Sequence, residues 1–188
     1  MSTKIFYFVQ GALPKDFSQI VYRYAIFDEM KNPSRKDHQV PSAYSKYGDS
    51  LMESLLIYLQ PKIEEETKLK LLPTYAYYRI YRNGDILKPH KDRPSCEISA
   101  SICLGANYSL EEYVWPLFID GEPVNLSVGD MAIYKGLESC HWRNRFDGPS
   151  NSIQIQAFLH YVNANGEYSN YKYDGRPGIG FSLSSKTT

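Results

Sequence analysis

Tyr75-Ala76-Tyr77-Tyr78-Arg79-Ile80-Tyr81-Arg82-Asn83-Gly84-Asp85-Ile86-Leu87-Lys88-Pro89-His90-Lys91-Asp92 decides the fold. Its front half is aromatic and aliphatic, a composition that suits a pleated surface, and Tyr75, Tyr77 and Tyr81 share one face by alternation while Tyr78 lies on the other. Asn83-Gly84 then turns the chain. From Leu72 onward the apolar period is about 2, and it stays so to the end of the ordered pattern. Expected strands are 75–81, 97–104, 114–119, 130–134 and 152–162. They are separated by Gly105-Ala106-Asn107, Asp120-Gly121, Val128-Gly129 and Gly148-Pro149. Seven or eight short strands with no helix between them imply antiparallel pairing. The expected class is mainly β (α+β): a double-stranded β-helix, that is a jelly roll or cupin-like barrel, with N-terminal helices packed on its outside.

Upstream of this stretch the period is about 3.6. After Pro14, Phe17, Ile20, Val21, Tyr24 and Phe27 recur at helical spacing and are expected to face a core. Residues 32–48 read as a polar connection or a lid. A second helix is expected from Ser50, with Ser50 and Glu53 at capping-box spacing and Met52, Leu55, Leu56, Leu59 and Ile63 as its apolar stripe. Pro61 would kink or end it. The chain of 188 residues is thus read as one domain: helical support over 14–70, a jelly-roll core over 72–163 and a tail over 164–188, partly mobile from Gly175.

Composition narrows the function. Lys and Arg number 21 against 21 Asp and Glu, which argues against a nucleic-acid binder or a basic membrane-surface protein. No run of about 18 apolar residues and no secretory leader is present, so the expected location is cytoplasmic with no membrane partner. Three Cys, at 96, 103 and 140, are odd in number and without C-x-x-C spacing, and are expected to be buried thiols. Tyr is abundant, at 17 residues; it combines an apolar body with a polar tip and suits pocket walls.

The chemistry lies at the end of the opening stretch. In an extended segment His90 and Asp92 project to the same side and converge on one point. That is part of a 2-His-1-carboxylate site, which holds a metal and leaves coordination positions open, as suits non-haem Fe(II) oxygenases. His141, after the strand over 130–134, is the candidate for the second imidazole.

With Tyr81-x-x-Gly84 ahead of Pro89-His90-x-Asp92, Trp115-Pro116 and Val128-Gly129-Asp130 between, then His141 and a closing Phe158-Leu159-His160, residues 78–162 resemble the 2-oxoglutarate and Fe(II)-dependent dioxygenase superfamily. The closest resemblance is to its prolyl 4-hydroxylase-like branch. The resemblance implies Fe(II) on His90, Asp92 and His141, 2-oxoglutarate as cosubstrate near Tyr81, and O2 as oxidant. It also implies hydroxylation of a C–H bond of a peptidyl prolyl or small-molecule substrate, with succinate and CO2 as coproducts. With the carboxylate Asp92 present, hydroxylation is expected rather than halogenation.

One departure matters. Where the family carries a Lys or Arg to clamp the distal carboxylate of 2-oxoglutarate, this chain has Ser150, Asn151 and Ser152. A half-buried dicarboxylate needs a cationic partner. If the chain is extended after His141, residues 141, 143 and 145 share a face, so Arg143 is the expected clamp and Arg145 the second choice. Ser152 and the inward amides Gln154 and Gln156 are expected nearby. Arg93, Trp115, Tyr75, Tyr77 and His160 are the candidate substrate-pocket residues. The alternative is a non-catalytic jelly-roll module whose metal site is vestigial or holds zinc. The substrate and the oligomeric state are not readable from the sequence.

Overall fold

The computed structural model describes residues 6–33 and 37–181. Among these residues ten strands form two antiparallel sheets. The larger joins β1 (Phe6–Val9), β8 (Met131–Tyr134), β5 (Ile98–Ala106), β10 (Ile153–Asn163), β3 (Leu71–Arg82) and β2 (Tyr44–Tyr47) in that order. The smaller runs β4 (Leu87–His90), β9 (His141–Arg143), β6 (Leu117–Ile119) and β7 (Glu122–Val124). This is the mainly β class expected, with α1 (Lys15–Lys31) and α2 (Ser50–Thr67) ahead of the main run of strands.

Strand alternation divides the larger sheet into two unlike faces. On one, Ala76, Tyr78, Ile80, Ala100, Ile102, Ile155, Ala157 and Leu159 share a core with Val21 and Ala25 of α1 and Met52, Leu55, Leu56, Leu59 and Ile63 of α2. Fully burying each such Leu or Ile contributes roughly 1.5–3 kcal/mol. The other face is polar. Register sets Tyr75, Tyr77, Arg79 and Tyr81 of β3 against His160, Phe158, Gln156 and Gln154 of β10, and β5 adds Ser99, Ser101 and Cys103 opposite the first three of these. These side chains are mostly buried, and a buried polar face of this kind needs internal partners or a ligand.

Several expectations are corrected. The buried residues of α1 are Ser18, Val21 and Ala25, while Phe17, Ile20 and Phe27 are exposed; the helix lies close on the sheet, where Tyr22 leaves no room for a Cβ at Gly105, so small residues win the contact. Helix α2 is capped by Asp49, whose carboxylate accepts from the amides of Leu51 and Met52, and Glu53 does not serve as the box. Pro61 sits inside α2 without ending it. Part of the polar stretch over 32–48 becomes the edge strand β2, and β1 and β7 were not expected; β7 follows the Asp120-Gly121 turn, where both residues have positive φ (49° and 93°).

The tail is held more firmly than its composition implies, as far as residue 181. Arg176 is buried and meets Glu53 at 2.6 Å, and it donates to the carbonyl of Thr74 at 2.8 Å. Residues 182–188 lie outside the described residues. Glu53→Ala would leave the Arg176 guanidinium buried without its carboxylate, and is expected to lower unfolding free energy by about 3–5 kcal/mol. A reduced urea midpoint at unchanged slope is the readout; an unchanged midpoint would show that the pair does not hold the tail.

Candidate metal centre

The site is built where β4 and β9 pair, because their register sets His90 directly opposite His141. Nδ1 of His90 donates to the Lys88 carbonyl at 2.9 Å, and Nδ1 of His141 to the Ser139 carbonyl at 3.0 Å. Those bonds fix both tautomers and leave each Nε2 with a free lone pair. Both lone-pair nitrogens face Asp92: His90 Nε2 lies 3.8 Å and His141 Nε2 3.5 Å from Asp92 Oδ1. The three donor atoms lie within 4.8 Å of one another. Two imidazoles and one carboxylate on one side of a point, with the imidazoles pre-oriented by backbone acceptors, fit a divalent metal and match the donor set of non-haem iron.

The electrostatics agree with that donor set. Burial pushes the Asp92 carboxyl up, but the neighbouring imidazoles of His141 and His160 and the Ser99 hydroxyl outweigh it and hold the group well below the usual carboxylate range. The carboxylate is therefore ionised. Burial, aided by His141, lowers the pKa of His90 and keeps it neutral.

Two residues the sequence did not single out shape the carboxylate. Ser99 donates to Asp92 Oδ2 at 2.8 Å. Gly136 accepts from the Asp92 amide at 2.9 Å, and a Cβ at Gly136 would collide with the Asp92 carboxylate, the Cys96 carbonyl and the Ser99 hydroxyl. Gly136→Ala must therefore displace Asp92, and we expect about a 10–100-fold loss of metal affinity, the size typical of outer-shell changes. Competition with a chromogenic chelator measures it; unchanged affinity would mean that Asp92 is not a ligand.

The smaller sheet also supplies Arg143. It follows His141 by two residues in β9 and both side chains are buried. Nη1 donates to the Trp115 carbonyl at 2.6 Å, while Nη2 is buried with no partner among the described residues. The guanidinium lies over the rings of Trp115 and Tyr81, at 4.6 and 5.8 Å from their centroids, and no carboxylate among the described residues pairs with it. Burial lowers its pKa. Tyr81 is fully buried, its hydroxyl accepting from Arg79 Nη1 at 2.7 Å.

Other expected residues fall in different places. Arg145 lies past the end of β9, where alternation no longer holds; it is exposed and pairs with Asp147 at 2.9 Å, away from the buried guanidinium. Ser152 is buried with an unpartnered hydroxyl. Gln154 is satisfied within the protein by Tyr108 at 2.5 Å and Gln156 at 3.3 Å. Trp115 packs on Phe146 in a small apolar cluster with Tyr81, Leu87 and Phe158. Arg93, Tyr75, Tyr77 and His160 come together with Asp92 around one cavity of about 510 Å³. That cavity also brings in Arg79, fully buried and paired with Asp37 at 2.9 Å. The period-2 pattern that set Tyr75, Tyr77 and Tyr81 on one face carries Arg79 with them, so its position was legible, but its partner was not. Cys96 and Cys103 are buried free thiols and Cys140 is half-buried. Among the described residues no helix is long and apolar enough to cross a membrane.

No known family matches the sequence, and no curated protein does. Solved structures match by fold. The viral collagen prolyl hydroxylase of Paramecium bursaria Chlorella virus-1, in complex with 2-oxoglutarate, superposes with a TM-score of 0.63 at 11% identity, over 84% of this chain and 96% of its own. A prolyl-4-hydroxylase of Pseudomonas putida gives 0.64 at 12% identity, over 85% and 93%. HygX of Streptomyces hygroscopicus, with nickel, 2-oxoglutarate and hygromycin B bound, gives 0.62 at 13% identity, over 87% and 84%. The chain thus has the fold of these proteins, which is the fold that the resemblance of residues 78–162 implied.

Proposed function

We propose that this chain is an Fe(II)- and 2-oxoglutarate-dependent dioxygenase that hydroxylates a C–H bond, with succinate and CO2 as coproducts. The observation that carries the reading is the pairing of two features on one short strand. His141 completes a set of two bare imidazole nitrogens and a carboxylate, and two residues on, Arg143 presents a buried cation with no anion. A buried charge without a partner is costly, and a dicarboxylate cosubstrate reaching from the metal would supply one. Arg143 thereby answers the absence of a basic residue at Ser152.

When bound, Fe(II) with 2-oxoglutarate and O2 supplies the oxidising power. The chain supplies the rest. His90, Asp92 and His141 would hold the metal, the first and last oriented by backbone carbonyls and Asp92 by Ser99. Arg143 would bind the far carboxylate, with Tyr81 and Trp115 forming its walls. Trp115, Phe146 and Leu87 exclude water from that end. The cavity bordered by Asp92 would receive the substrate, a peptidyl prolyl residue or a small molecule; among the fold neighbours the prolyl hydroxylases support the first and the hygromycin B complex the second.

The test is turnover in air. Protein with Fe(II), 2-oxoglutarate and a reductant is expected to form succinate slowly without any added substrate, and His90→Ala is expected to form none. Succinate at the level of free iron would favour the non-catalytic module.

A further inference from the structure

The cavity beside Asp92 is walled by the rings of Tyr47, Tyr75 and Tyr77 and by His160, and the hydroxyls of all three tyrosines are engaged. Tyr47 donates to Asp174 at 2.5 Å, Tyr75 contacts Cys96 Sγ at 3.1 Å, and Tyr77 accepts from Arg79 at 3.2 Å. What they offer an occupant is their flat faces. The guanidinium groups at this cavity are also matched: Arg79 by Asp37, Arg93 by both oxygens of Asp174, at 2.6 and 2.7 Å. Lys91 is exposed at the rim.

Two buried polar atoms at this cavity are left over among the described residues, Arg79 Nε and His160 Nε2, and His160 Nε2 is the acceptor of the two. The Ser99 hydroxyl has a single proton and three neighbours: Asp92 Oδ2 at 2.8 Å, the Cys96 carbonyl at 3.2 Å and His160 Nδ1 at 3.0 Å. The ionised carboxylate and the carbonyl can only accept, and the carboxylate is the nearest. His160 must then donate from Nδ1 to the Ser99 oxygen, so its proton is on Nδ1 and Nε2 is a bare acceptor. Burial holds this imidazole neutral, with a pKa pushed down to about 4. Nε2 is buried with no partner among the described residues, and an orphaned buried acceptor is costly until something donates to it. The ring is held by Tyr75 and Tyr77, at 4.6 and 5.9 Å between centroids.

We propose that this cavity takes a neutral, ring-bearing substrate moiety that delivers one N–H or O–H donor to His160 Nε2. The inference deepens the oxygenase reading and rests on it in taking the occupant to be the substrate. The aromatic walls favour a ring by stacking, the ion-paired guanidinium groups of Arg79 and Arg93 leave the exposed Lys91 as the free cation among the described residues, at the rim, and His160 selects for the donor.

Fragment binding tests it on the full chain loaded with Zn(II) and 2-oxoglutarate. Phenol, anisole, benzylammonium and benzoate are titrated separately and followed by ligand-observed NMR. Phenol is expected to bind most tightly, about tenfold more tightly than anisole. His160→Phe is expected to erase that difference, and His160→Gln, which keeps an acceptor and removes the ring, to retain part of it. Equal binding of phenol and anisole by the parent chain, preference surviving in His160→Phe, tightest binding of either charged fragment, or no binding of any would overturn the proposal. A 2-oxoglutarate titration of the same samples separates the two readings: phenol preference without 2-oxoglutarate binding leaves the pocket chemistry standing and removes the oxygenase, and the reverse removes only the pocket.

Discussion

Arg143→Met is expected to weaken 2-oxoglutarate binding by about 10²–10³-fold and, in the same protein, to raise the stability of the ligand-free chain. The first effect follows from removing one partner of a desolvated ion pair, which costs about 3–5 kcal/mol. The second follows from the absence of that partner in the free protein. Arg143 is 1% exposed, and among the described residues its Nη2 is unpaired and its only side-chain hydrogen bond is to the Trp115 carbonyl, so a Met of similar volume removes an uncompensated charge and keeps the packing against Tyr81 and Trp115. Calorimetric titration and thermal unfolding read the two effects. A stabilised variant with unaltered 2-oxoglutarate affinity would place the clamp elsewhere, Arg79, buried on the polar face of the larger sheet, being the other candidate. A merely destabilised one would make Arg143 structural.

Asp92→Ala is expected to lower metal affinity by on the order of 10³-fold or more, beyond the 10–100-fold that outer-shell changes cost. The carboxylate brings the only negative charge to a site whose other ligands are neutral. Its removal also leaves Ser99 free to donate to the Cys96 carbonyl, so the loss of metal binding is expected without collapse of β4 and β9. Chelator competition with Zn(II), alongside unchanged far-ultraviolet circular dichroism, is the check; metal affinity within tenfold of the parent would remove Asp92 from the ligand set.

The larger part of the fold was legible because period alone reports it. The switch near Leu72 marked where helices give way to strands, and Asn83-Gly84, with Gly84 at a φ of 93°, turned the chain in the place expected. His90 and Asp92 were legible because one-residue spacing in an extended segment fixes a shared direction, and His141 because few imidazoles are available. What escaped was set by tertiary proximity. Phe17, Ile20 and Phe27 look like a core stripe, yet close approach to the sheet selects Ser18, Val21 and Ala25 instead. Ser99 and Gly136 carry no motif; only the fold sets one against the Asp92 oxygen and clears space with the other. Arg145 was placed beside Arg143 by alternation that stops with the strand. Asp37 meets Arg79 across 42 positions of sequence, a contact no local pattern encodes. The edge strands β1 and β2 are four residues each, too short for alternation to distinguish them from loop.

The most direct test of the central claim is an anaerobic titration of 2-oxoglutarate into the Fe(II)-loaded protein, followed by visible absorption. The account predicts a weak charge-transfer band that saturates at one equivalent, needs both iron and 2-oxoglutarate, and is lost in His90→Ala. Iron bound by His90, Asp92 and His141 with no band at any 2-oxoglutarate concentration would contradict it.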